Sequence, residues 1–98
     1  MDNWEDDGRV LPFEATTFDG LQMTIERCKK LCFEDNDYVY AGVENAHQCF
    51  CGNDRPVDPA PQSDCNMACT GNSTQMCGAL FRLNVYQKKG TSVFPMHQ

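Results

Sequence analysis

Thr24-Ile25-Glu26-Arg27-Cys28-Lys29-Lys30-Leu31-Cys32 has the pattern of an amphipathic helix. Ile25, Cys28, Leu31 and Cys32 fall on one face at a period of 3.6 residues, and Glu26, Arg27, Lys29 and Lys30 fall on the other. Thr24 is a good N-cap, Glu26 suits the positive end of the helix dipole, and Met23 and Cys28 are spaced as a hydrophobic staple. The pattern predicts a helix over 24–35, stopped by Asn36-Asp37. Tyr38-Val39-Tyr40-Ala41-Gly42-Val43 and Gln48-Cys49-Phe50-Cys51 then read as two strands of a hairpin, with Glu44-Asn45-Ala46-His47 as its loop. Side chains alternate along a strand, so Cys49 and Cys51 share a face. A helix carrying Cys28 and Cys32 docks on that face. Parallel bridges Cys28–Cys49 and Cys32–Cys51 fit this geometry, each closing a loop of roughly 20 residues and contributing about 3 kcal/mol.

The flanking segments read less clearly. Residues 1–22 look extended with turns: Gly8 and Pro12 are breakers, Val10-Leu11 opens a short strand, and Asp19-Gly20 is a turn pair. The proline-rich segment 54–64 is a loop, and Asp64 caps a short helix around residues 65–69. Residues 70–74 read as a loop and Leu83-Asn84-Val85-Tyr86 as a final strand. Residues 88–98 read as a flexible C-terminal tail. No internal repeat or low-complexity tract is present.

The 98 residues suit one domain with one small core. Hydrophobic residues make up 41% and charged residues 22%, which is globular composition. No apolar run approaches the length of a membrane span. The net charge of −6 argues against nucleic acid or an anionic membrane as the main partner, because both call for basic surface. Seven cysteines in so short a chain point to a disulfide framework supplementing a thin core, and so to an extracellular setting. Met1 to Asp7 is acidic and has no apolar leader segment, so a secretory leader is expected to be absent from this chain. The rival reading is a metal centre. It fails on spacing: C-x2-C pairs are missing, and His47 and His97 form no metal-binding pair. An odd cysteine count leaves one thiol free or bonded to another chain.

Taken in order, Gly8-Arg9-Val10-Leu11, Met23-Thr24, Cys28-x3-Cys32, Tyr40-Ala41-Gly42-Val43-Glu44, Cys49-Phe50-Cys51-Gly52-Asn53, Asp64-Cys65-Asn66-Met67-x-Cys69, Gly71-Asn72-Ser73, Cys77-Gly78 and Arg82-Leu83-Asn84-Val85-Tyr86 resemble a WSC domain over residues 3–87. The resemblance implies a small, disulfide-rich α+β fold: one main helix on a small antiparallel sheet, similar to the PAN/apple type. It also implies a secreted, non-catalytic module that binds cell-wall or extracellular glycan. Members of the family usually carry eight cysteines, paired first with sixth, second with fourth, third with fifth and seventh with eighth. Carried over, this gives Cys28–Cys49, Cys32–Cys51 and Cys69–Cys77. Asn3 stands where the first cysteine is expected, which leaves Cys65 as a free or intermolecular thiol.

Small glycan-binding modules stack aromatic faces on sugar rings and add amides, carboxylates or guanidinium groups that fork onto vicinal hydroxyls. The stacking candidates are Trp4, Tyr38, Tyr40 and Tyr86. The hydrogen-bonding candidates are Glu44, Asn53, Asn66, Arg82 and Asn84. Each has a plainer alternative. Tyr40 and Tyr86 sit in strand patterns and suit a core. Glu44 suits holding the hairpin, Asn53 and Asn66 suit turns, Arg82 suits pairing with one of fourteen acids, and Trp4 suits a lid on the core. Asn72-Ser73-Thr74 is an N-glycosylation sequon in an expected loop.

Other chemistry has little support. Asp2, Glu5, Asp6 and Asp7 lack EF-hand spacing and read as solvated surface. No motif singles out a carboxylate pair, no G-x-S-x-G elbow exists, and neither histidine has a partner motif. No catalytic residue, cofactor or metal is expected. The readings carried forward are a glycan-binding module, an extracellular domain that recognises a protein, and an adhesive protein dimerised through Cys65.

Overall fold

The computed structural model describes residues 10–16, 22–89 and 93–98. Thr24 caps helix α1 (Ile25–Lys29), its hydroxyl oxygen accepting from the Arg27 N–H at 3.1 Å. Lys30–Glu34 continues the helix as a wider π-turn, closed by Asp35 N–H donating to Lys30 O at 3.0 Å. The chain then stops helically. The Asn36 side chain donates to Leu31 O, Asp37 takes a positive φ of 59°, and Tyr38 N–H donates to Cys32 O. An aspartate tolerates this left-handed position better than most residues do.

Five antiparallel strands form the main sheet, in the order β1-β3-β2-β6-β7. They are β1 (Phe13–Glu14), β2 (Tyr40–Glu44), β3 (Gln48–Gly52), β6 (Arg82–Gln87) and β7 (Val93–His97). A small hairpin of β4 (Ala68–Cys69) and β5 (Asn72–Met76) lies apart from it. The architecture is therefore α+β and disulfide-rich.

The sheet has two covered faces. On one, Ala41 and Val43 of β2 and Cys49 and Cys51 of β3 meet the buried Cys28 and Cys32 of the helix, with Met23, Cys69 and Cys77 alongside. Bridges Cys28–Cys49 and Cys32–Cys51, each with Cα atoms 5.4 Å apart, fasten helix to strand. A third bridge, Cys69–Cys77, closes the β4–β5 hairpin. Sγ of Cys32 lies 3.6 Å from Sγ of Cys49, so the two helix bridges touch. Cys28, Cys32 and Cys49 bring three sulfurs together, but all three sit in disulfides and offer no thiolate to a metal.

On the other face Leu11, Phe50, Leu83, Val85 and Met96 form a second buried cluster. Gly42 is what lets Leu11 in. A Cβ there would lie 2.7 Å from Leu11 Cδ1 and 2.8 Å from Leu83 Cδ2. The Gln98 side chain fastens this cover, its Oε1 accepting from both Val10 and Leu11 N–H and its Nε2 donating to Leu11 O.

Four expectations change here. Residues 93–97 are not tail but edge strand β7, paired along its length with β6. Pro95 hides the strand from a sequence reading, yet an edge strand tolerates a residue with no N–H. The proline-rich segment itself anchors it: Ala60 N–H donates to Pro95 O and His97 N–H to Asp58 O. Residues 65–69 form no helix; a single 3-10 turn, Gln62–Asp64, precedes the short β4. Asn72–Met76 is a strand rather than a loop, despite its polar sequence. The Cys69–Cys77 bridge closes it, and its Gln75 docks on the helix start, accepting from Ile25 N–H and donating to both Glu26 oxygens. That amide is the main cause holding the Glu26 carboxyl below its usual pKa. The opening strand also falls later than expected, at Phe13–Glu14.

Gly42→Ala must push two fully buried leucine side chains out of place. The expected loss of stability is about 1–3 kcal/mol in urea unfolding, with the slope unchanged.

Candidate functional site

The chain between β5 and β6 makes a tight turn whose tip is Leu80-Phe81. Ala79 and Arg82 exchange backbone hydrogen bonds, Ala79 N–H to Arg82 O at 3.1 Å and Arg82 N–H to Ala79 O at 3.0 Å. Gly78 enters the turn at a φ of +66°, and a Cβ there would sit 2.3 Å from Arg82 O, so only glycine fits. Phe81 itself has a positive φ of 60°, uncommon for a bulky residue. Its N–H donates to Glu44 Oε2 at 3.1 Å. Glu44 is only 4% exposed, so this is a buried carboxylate holding the turn from beneath. The Asn84 side chain does similar work, its Oδ1 accepting from Gly78 N–H at 2.8 Å. With its base fixed in this way, the tip stands in solvent: Leu80 is 59% and Phe81 60% exposed.

Beside the tip lies an open cleft of about 480 Å³. Ser63, Asp64 and Asn66 line one side, and Leu80, Phe81 and Arg82 the other. Arg82 Nε donates to Asp64 Oδ2 at 2.9 Å and its Nη1 to Phe81 O at 3.1 Å. The pair fixes a guanidinium and a carboxylate side by side, both partly exposed. An aromatic face, a methyl-rich side chain, an amide, a hydroxyl and a single-contact ion pair thus share one shallow surface.

Cys65 lies next to this cleft in sequence but is only 6% exposed, with its Sγ directed at Leu83 O. Burial, and then the charge of Asp64, push its thiol pKa up against a smaller opposing effect of Arg82. A protonated, buried thiol is a poor partner for a second chain, which counts against dimerisation through Cys65.

The sequence candidates separate into groups. Asn66 and Arg82 line the cleft. Glu44 and Asn84 are turned inward and position the turn, so neither is free to touch a ligand there. Tyr38 is half-buried and stacked on Phe13, ring centroids 5.2 Å apart at 19°. Tyr86 is half-buried beside the helix, with Lys29 Nζ 4.8 Å from its ring centre, and its pKa is raised by burial. Tyr40 packs against the Leu11 cluster and borders a second concavity of about 360 Å³ with Val39, Gln87, Lys88 and Lys89. Asn53 is exposed and accepts from Val39 N–H at 3.2 Å, as a turn residue does. Trp4 and Asn3 lie outside the described residues. The sequence reading missed Phe81 and Leu80. The available signal was Ala79-Leu80-Phe81, apolar residues between a glycine and a strand, where a turn has no core to enter.

The WSC domain family model matches residues 4–79. A xylosyltransferase oxt of Drosophila pseudoobscura pseudoobscura is 38% identical over 85 residues, which is 85% of this chain and 9% of that protein. A WSC domain-containing protein of Arthroderma benhamiae is 40% identical over 90 residues, 90% of this chain and 9% of its own length. Kremen protein 2 of Mus musculus is 36% identical over 69 residues, 67% of this chain and 15% of that protein. The chain belongs to the WSC domain family, and it spans a small fraction of the length of these relatives.

Three expectations follow. Glu44→Ala removes the acceptor of the Phe81 N–H and should cost about 1–3 kcal/mol in urea unfolding. Cys65 should resist alkylation in the native protein and react once the chain is unfolded without reductant. Asn3→Cys should abolish even that reactivity and add about 2–5 kcal/mol of stability. A Cys65 thiol still titratable in unfolded Asn3→Cys would refute the pairing with position 3.

Proposed function

We propose that this chain is an extracellular, non-catalytic glycan-binding module whose contact surface is the cleft around Leu80-Phe81. The observation that carries this reading is the exposed Phe81 ring standing beside Asn66 and the Arg82–Asp64 pair. A sugar ring offers both an apolar C–H face and rows of hydroxyls, and this surface offers a counterpart to each. The small, open contact area suits weak binding to single sites on a repeating polymer, where the high density of repeated sites favours rebinding.

Two features support a binding role over hydrolysis. Glycoside cleavage takes two carboxylates about 5–10 Å apart with one free to donate a proton. Here Asp64 is held by Arg82, and Glu44 is turned inward to the Phe81 N–H. The disulfide framework and family membership support the extracellular setting.

The test is retention of the oxidised protein on insoluble β-1,3-glucan, chitin and xylan, with a reduced, alkylated control. Retention should require the oxidised fold, and Phe81→Ala should weaken it about tenfold, roughly 1.4 kcal/mol. Tyr86→Phe should bind as the parent does. Undiminished binding by Phe81→Ala would move the site elsewhere. No retention by an intact fold, including on soluble sulfated glycans, would favour a protein partner for the same apolar tip.

A further inference from the structure

We propose that Asn72 is an acceptor for an N-linked oligosaccharide, attached before the Cys69–Cys77 loop closes. The sequon Asn72-Ser73-Thr74 opens β5, with Ser73 and Thr74 exposed. Thr74 N–H and Oγ1 both donate to Asn72 Oδ1, at 2.9 and 2.6 Å. The amide oxygen is thereby engaged by the hydroxyl that the motif requires at its third position. Among the described residues none accepts a hydrogen bond from Asn72 Nδ2. The inference stands apart from the glycan-binding reading, because the residues lining the cleft come from 63–66 and 79–82 and none from β5.

The timing follows from how the folded loop is held. A bridge with a sequence separation of 8 closes it. Gly71 N–H donates to Met23 O at 2.7 Å, and Thr70 N–H donates to Ala46 O at 3.0 Å. At Gly71 a Cβ would lie 2.5 Å from Gln22 O, so the loop sits directly against the segment before the helix. An enzyme that takes Asn72 into its active site must also take the flanking backbone, and in the folded chain that backbone is fastened on both sides. The donor class is an oligosaccharide linked to a lipid pyrophosphate. Asn72 Nδ2 bonds to the sugar C1 and gives up one proton. The C1–oxygen bond breaks, and the lipid pyrophosphate leaves with its electron pair. Nothing is oxidised or reduced.

The chain, expressed behind a secretory leader in eukaryotic cells, should carry a glycan that an amide-cleaving glycosidase removes, leaving aspartate at 72. Asn72→Gln and Thr74→Ala should abolish it, and Thr74→Ser should retain it. In isolated membranes supplied with a lipid-linked donor, the reduced, alkylated chain should accept the glycan and the oxidised chain should not. A secreted protein with three bridges and unmodified Asn72 would overturn the site. Equal transfer to the oxidised and reduced chains would overturn the timing.

Discussion

Two adjacent disulfides between one helix and one strand set the rest of the structure. Cys28 and Cys32 are four residues apart, which is about 6 Å along a helix at about 1.5 Å per residue. Cys49 and Cys51 are two residues apart, about 7 Å along a strand at about 3.4 Å per residue. The two spacings nearly match, so both bridges close side by side without tilting the helix. Each has the same Cα separation of 5.4 Å. Sulfur then fills much of the space between helix and sheet, and β2 presents only Ala41 and Val43 to it. A chain of 98 residues has little apolar area to bury, and these crosslinks stabilise it chiefly by restricting its unfolded states.

With β2 and β3 fixed, β6 is placed by its pairing with β2, in register from Tyr40 opposite Gln87 to Glu44 opposite Leu83. That register carries the site. Glu44, at the end of β2, reaches the N–H of Phe81, just before β6 begins. The strand paired with the one stapled to the helix therefore also holds up the exposed tip. Leu11 over Gly42 closes the opposite face, and β7 widens the sheet. The backbone conformation of Phe81 is unusual, and what maintains it is buried: a glycine with no room for a Cβ, an asparagine amide and a carboxylate.

Much of this was legible in the sequence, and the failures have physical causes. Helical periodicity and strand alternation identified the helix, β2, β3 and β6 because each buries a regular face. The segments that misled are those in which tertiary contacts override local preference. β7 contains a proline and owes its place to the edge of the sheet. β5 is polar and is held by a bridge and by Gln75. The region expected to be helical around residues 65–69 gains no buried helical face. Among the site candidates, residue type led correctly to Asn66 and Arg82. It also drew in Glu44 and Asn84, whose side chains turn inward, and three tyrosines that pack against the body of the domain. Phe81 escaped notice because strand and helix patterns describe buried residues, whereas its importance comes from exposure on a turn that buried groups hold rigid.

The most direct test of this account is an amide and side-chain NMR titration of the oxidised protein with soluble oligosaccharides of whichever polysaccharide retains it best. Shifts concentrated at Asn66, Leu80, Phe81 and Arg82, with little change at Tyr38 and Tyr86, are the predicted result. Shifts confined to Tyr40, Gln87 and Lys88, at the other end of β6, would contradict it.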